Sequence, residues 1–413
     1  MTDAEHAQTG ESEADAEHRV THLELFFDLV FVFAITQVTA FIADDLTWAG
    51  LVRGLFVLAA LWWTWAAYAW LTNTLDPEEG AVRLAMFASM GAMLIVALAT
   101  PRAFGADGLV FGITYFVVRA LHLVLYAIAG RDDPDLERAV LRILPSALLG
   151  ASLLVVAAFL DGPAQGAVWA VALAIDYLWL LVVGMQGWRI FADHFVERHG
   201  LIMIVALGES IVAIGIGAAG LPLEAGLIAA ALLGITVACA LWWSYFDWAI
   251  YYSQARLADA TGVAQAVLAR DLYSYLHLPM VAGIVLFSLG VKTTLAHVGD
   301  PLDLISAVGL CGGLALYFAG HVAHRLRASR TWGHGRPIAT VVLLALIPVA
   351  TVVPALVALA TVAAVCAALI AYEAVRYSYA RAWIRSRRGS FTMEEARQVA
   401  PRPGRHPDRA DPE

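Results

Sequence analysis

Apolar runs long enough to cross a bilayer recur along this chain from residue 23 to residue 377. The hydrocarbon core is about 30 Å thick, so a helix rising about 1.5 Å per residue needs roughly 20 apolar residues to span it. Runs of that order fall at 23–43, 50–72, 82–99, 109–129, 143–160, 167–188, 201–219, 225–249, 272–295, 302–324, 338–353 and 355–377. Without water in the bilayer core each span must satisfy its own backbone, which helices do. The chain therefore reads as an all-α polytopic membrane protein of about 12 spans. Only 15% of its 413 residues are charged, against about one quarter in soluble domains. Pro348 and Pro354 interrupt the last apolar stretch, which reads as two short spans or as one broken span with a re-entrant piece.

Basic residues set the orientation. On the side shared with both termini the loops hold Arg83, Arg131, Arg138, Arg142, Arg189, Arg198, Arg256, Arg270, Arg325, Arg327, Arg330 and Arg336. The opposite loops hold only Arg53, Arg102 and Lys292. The positive-inside rule then predicts a multi-pass protein of the cell membrane with both termini cytoplasmic. Residues 1–18 form an acidic tail expected to be disordered, and 381–413 a basic one. The N-terminus is not basic then apolar, so the first span is expected to direct insertion itself. Cys239, Cys311 and Cys366 all fall within spans and give no disulfide or metal spacing.

The informative residues are the charges inside the spans. A charge at that depth costs at least a few kcal/mol and faces a partner or a water-filled path. Glu24 and Asp28 lie four apart on one face of the first span, where like charges repel. Glu209 and Ser210 follow Gly208 in the seventh span, and His199 precedes it. Arg119 is mid-span and needs an anion, with Asp28 and Asp176 plausible by depth, in a structural pair or a substrate-anion role. Glu24, Asp28, Arg119, Asp176, His199, Glu209 and Ser210 are thus the candidate ion- or substrate-binding set. His277, His321 and His324 could shuttle protons or simply be hydrogen-bonded in place. Asp193, His194, Glu197 and His199 are metal-capable, but no second cluster completes a site, so no metal or cofactor is expected. The tryptophan-rich stretches at 62–70 and 242–248 read as packing and interfacial residues.

The chain also reads as duplicated. Leu61-Trp62-Trp63-Thr64-Trp65 resembles Leu241-Trp242-Trp243-Ser244-Tyr245, 180 residues later. At nearly the same offset Asp28-Leu29-Val30 aligns with Glu209-Ser210-Ile211, and each acid follows a histidine ten residues upstream, His18 and His199. Six spans per half would make two parallel repeats, 19–189 and 190–380, with Asp28 and Glu209 at matching depth.

Glu24-Leu25-Phe26-Phe27-Asp28-Leu29-Val30-Phe31-Val32 and His199-Gly200-Leu201-Ile202-Met203-Ile204-Val205-Ala206-Leu207-Gly208-Glu209-Ser210 resemble the signatures of the bacterial low temperature requirement A (LtrA) family. The resemblance covers about residues 19–385 and implies a multi-pass membrane protein without a settled activity. The first segment is also similar to the Phe-Ser-Asp helix of the endolysosomal potassium channels, with Phe27 at the serine position.

No phosphate-binding Gly-Lys-Ser/Thr loop, Gly-x-Ser-x-Gly elbow or His-Glu-x-x-His is present, and nothing points to nucleic acid. The leading expectation is a secondary transporter or channel, its partners membrane lipids and a cation or proton held at Asp28 and Glu209. The alternatives are an intramembrane enzyme acting on a lipid or lipid-linked substrate, built on Glu209, His199 and Arg119, and a structural or sensory membrane protein.

Overall fold

The computed structural model describes residues 20–247 and 249–379 together with 382, 383 and 395. The expected tails at 1–18 and 381–413, apart from 382, 383 and Glu395, lie outside the described residues, as does Trp248. The fold is all-α. Its helices are α1 His22–Asp44, α2 Trp48–Thr72, α3 Gly80–Ala99, α4 Gly108–Ala129, α5 Pro134–Ala157, α6 Gly162–Val183 and α7 Ala192–Ala218. They continue as α8 Ala225–Phe246, α9 Ala249–Ala258, α10 Gly262–Ala296, α11 Leu304–Ser329, α12 Gly335–Ala350 and α13 Ala355–Arg376. Among the described residues eleven helices are long and apolar enough to cross a membrane, and α12 is a shorter apolar one. This is a multi-pass membrane protein.

Short polar residues start these helices at the ends of the apolar runs. Thr21 and Glu24 form a reciprocal capping box at α1, Thr47 caps α2, and Asp133 with Pro134 opens α5. Large apolar side chains remain exposed around the helices, as at Leu84, Phe159, Val182 and Val341. That is the surface expected of spans whose outer faces meet lipid rather than water.

Two helices start more than two turns before the spans read from the sequence. α7 begins at Ala192 rather than near 201, and α10 at Gly262 rather than near 272. The added turns of α7 are polar and held by buried partners, whereas those of α10 are mostly apolar up to Arg270 and Asp271. Arg198 and Arg270, assigned to loops from sequence, are thereby helical and buried, and Arg336 lies within α12. The break near the C-terminus is also resolved: 338–377 is two helices, α12 and α13, parted at Thr351–Pro354. Pro354 has no N–H and disfavours helix at Val353, so the chain restarts there with Pro354 as N-cap.

The chain divides into two compact units. The first comprises residues up to Glu209 with Gly262–Ser274, and the second comprises Ser210–Thr261 and Tyr275 onward. In the first, α2 is the core helix, packed against α1, α4 and α6, and nearly every residue from Leu58 to Thr72 is buried. In the second, α10 and α11 lie so close that glycines face each other's backbone. A Cβ on Gly283 would sit 2.5 Å from the Gly313 carbonyl oxygen and 2.7 Å from the Tyr317 nitrogen.

Candidate functional site

The capping residue Glu24 is also the first member of a buried charge cluster. α1 and α7 run side by side in the same direction. Their contacts climb in step: Glu24 with His194, Asp28 with Arg198, and Thr36 with Glu209. Acids four residues apart on α1 thus face a histidine and an arginine four residues apart on α7. Arg198 is fully buried. Its Nη1 and Nη2 donate to the two Asp28 oxygens at 2.9 and 3.1 Å, a bidentate pair. Trp65 Nε1 adds a third donor to Asp28 at 2.9 Å, and Arg198 Nε lies 3.4 Å from Glu24 Oε1.

Glu24 Oε2 accepts from the Thr21 backbone N–H at 2.9 Å. His194 Nε2 lies 3.1 Å from Glu24 Oε1. Asn73 fixes the tautomer of that histidine. Its Oδ1 accepts the Phe191 N–H at 2.9 Å, so its amide nitrogen must face His194 Nδ1 at 3.1 Å. The amide donates there, so Nδ1 accepts, and the ring hydrogen sits on Nε2, toward Glu24. The cluster holds two carboxylates to one guanidinium, with His194 beside Glu24. A hollow of about 460 Å³, lined by Thr21, Glu24, His194, Asp76 and Glu78, reaches the outer end of the cluster.

Beyond Asp28 the character changes. Phe31 and Ile35 on α1 are buried. Thr36 then donates to Glu209 at 2.5 Å. Glu209 is therefore about 12 Å further along α1 than Asp28, at eight residues of 1.5 Å each. The equal depth expected from the aligned motifs is not what the structure has. Ser210, the first residue of the second unit, pairs with Ser288 at 3.0 Å. His199 donates from Nδ1 to the Phe195 carbonyl at 2.8 Å and packs on edge against Trp65 and Tyr273.

Arg119 pairs with Asp176, as one of its two expected anions, through Nη2 at 3.3 Å. Asp176 fits because residue 150 is glycine: a Cβ there would stand 3.1 Å from the carboxyl carbon. This pair lies in the first unit beside a cavity of about 60 Å³ and shares no residue with the α1–α7 cluster.

Sequence reasoning missed Arg198, Trp65, Asn73 and the α12–α13 pair Arg336–Glu373, where Nε meets Oε1 at 2.8 Å. The signal for Arg198 was available: His194 and Arg198 repeat the four-residue spacing of Glu24 and Asp28. The candidate proton carriers of the second unit are engaged there. His321 Nδ1 meets Arg336 Nη1 at 2.8 Å, His277 Nε2 meets the Tyr245 hydroxyl at 2.8 Å, and His324 approaches Ser253 at 3.5 Å.

The uncharacterized protein RA0937 of Rhizobium meliloti (strain 1021) is 30% identical over 321 residues, which is 74% of this chain and 77% of that protein. No solved structure matches the chain. The family model described as bacterial low temperature requirement A protein matches residues 19–371, carrying both signature segments and the whole α1–α7 cluster. By that match the chain belongs to the bacterial low temperature requirement A (LtrA) family.

Proposed function

We propose that this protein is a proton-handling secondary transporter or channel of the cell membrane, with Glu24 and His194 as the exchange point and Asp28–Arg198 as the ion pair behind it. The observation that carries the reading is the excess of carboxylates over guanidinium groups in the buried cluster, at the base of a hollow of about 460 Å³. Buried carboxylates that share one cation are costly, and a proton taken up there relieves that cost. Asp76 and Glu78 give the hollow an acidic lining, which raises the local concentration of cations. Glu209, with Thr36, offers the next acceptor along α1, beyond the apolar layer of Phe31 and Ile35. Passage requires that layer to part. The parallel course of α1 and α7 supports an arrangement of two six-helix halves of the same sense. The arginines between and near the ends of the helices support both tails on the cytoplasmic face.

The test uses purified protein in vesicles carrying a pH-sensitive dye, with a potassium diffusion potential to drive uptake. Native protein should acidify the lumen. Glu24→Gln removes the second carboxylate and should abolish uptake, and Asp28→Asn should alter it by releasing Arg198. Uptake at the native rate in both variants refutes the reading. A structural role is then favoured, since Asp28 already has three donors and needs no further partner.

A further inference from the structure

We propose that the cavity beside Arg119 is a binding site for a compact carboxylate-type oxyanion, acetate or hydrogencarbonate in size. The cavity lies within the first unit, with walls from α2, α4, α5 and α6. Its lining combines Arg119, His122 and Tyr126 on α4 with Asp176 on α6 and the indoles of Trp63 and Trp70 on α2. Arg119, His122 and Asp176 are each at most 4% exposed.

Three of these side chains carry buried polar atoms with no partner. Arg119 has them at Nε and Nη1, His122 at Nδ1, and Tyr126 at its hydroxyl. A buried donor or acceptor left unmet costs about 1–3 kcal/mol, so three such residues around one cavity point to a guest. The chemistry of the guest follows from theirs. A guanidinium has five N–H donors and no acceptor. Asp176 engages one nitrogen only, at 3.3 Å, longer than the roughly 2.7–2.9 Å of a close charge-assisted bond. His122 Nε2 lies 3.0 Å from the Ala67 carbonyl, to which it can only donate, so Nδ1 is left as an acceptor. The unmet set consists of N–H and O–H donors with one imidazole acceptor, beside the Asp176 carboxylate that already engages Arg119. It suits a guest with several acceptor oxygens, negative charge and at most one hydrogen of its own. A volume of about 60 Å³ holds about two waters, or one small planar anion in their place. This inference is independent of the proton reading, because none of its residues belongs to the α1–α7 cluster.

The experiment titrates detergent-purified protein with sodium acetate, sodium hydrogencarbonate, sodium chloride and ammonium chloride, reading tryptophan fluorescence, since Trp63, Trp70 and Trp188 line the cavity. Acetate or hydrogencarbonate should give a saturable change that chloride and ammonium do not, and the stronger of the two identifies the preferred body. Arg119→Gln should abolish it. Because Arg119→Gln strips the partner from a buried carboxylate and could unfold the protein, two further variants carry the test. Tyr126→Phe removes a hydroxyl that no protein group uses, so it should leave the ligand-free unfolding temperature unchanged while weakening binding about tenfold, the loss of one charge-assisted hydrogen bond. Asp176→Asn removes the competing carboxylate and should tighten binding. A response absent for both carboxylates, unmoved by Tyr126→Phe, or weakened by Asp176→Asn overturns the proposal. The first outcome means the cavity holds only water, and the last that the guest carries positive charge.

Discussion

Arg198 holds two carboxylates at once, and its removal would leave both buried without a cation. Breaking a buried pair by deleting one partner costs about 3–5 kcal/mol, because the charge left behind stays desolvated. Arg198→Gln is therefore expected to lower the thermal unfolding temperature in detergent more than any single substitution of its partners. The double variant Asp28→Asn with Arg198→Gln should recover part of the loss, since residues in one network are not additive. Equal and additive losses would show that the pair is not coupled. The acids of this cluster were legible in the sequence, because a carboxylate inside an apolar run stands out. Their cation was not. Arg198 sits where hydropathy has already fallen, and it counts as a loop arginine until tertiary pairing draws its helix inward. Trp65 was visible only as one of many indoles, and its role depends on Asp28 lying opposite.

At the scale of helices, order and number were readable and ends were not. Length and apolarity specify a span, but α7 is extended by buried polar contacts that no window average registers, and α10 by a mostly apolar segment ahead of Arg270. The α12–α13 break was readable as a proline interruption, and the structure shows two helices there. How closely helices approach depends on single residues. Gly283 of α10 and Gly313 of α11 face one another's backbone, which cannot rotate aside as a side chain can. Gly283→Ala and Gly313→Ala should each lower the unfolding temperature by several degrees, roughly the effect of 1–3 kcal/mol of overpacking. Gly91→Ala, with nothing within 4 Å of the added carbon, serves as control. There the gain in helix propensity should leave the protein unchanged or slightly more stable. A similar loss at all three positions would mean that close approach is not the cause.

For the whole molecule the open geometric question is the parity of crossings. If α12 and α13 each cross, the segment before α12 and the segment after α13 face the same side. α12 has 16 residues, about 24 Å of helix against a core of about 30 Å, so the crossing needs local thinning or its flanking turns. In a cysteine-free background, Gly333→Cys and Tyr379→Cys should react with an impermeant thiol reagent from one face and Val352→Cys from the other. Labelling of Gly333→Cys and Tyr379→Cys from opposite faces would make α12 re-entrant. Setting aside the buried Arg198 and Arg270 and the paired Arg336, Arg131 and Arg189 between helices and Arg138 and Arg142 in the first turns of α5 still stand against Arg53, Arg102 and Lys292.

One oxygen ties the smallest scale to the next. Glu24 Oε2 closes the first turn of α1 by accepting from Thr21, and the same carboxylate meets His194 and Arg198. The start of the helix and the electrical balance of the interior are therefore a single mechanical joint. Whatever neutralises that carboxylate also loosens the knot that begins the fold, so any gain or loss of charge there is transmitted to the backbone without an intermediary.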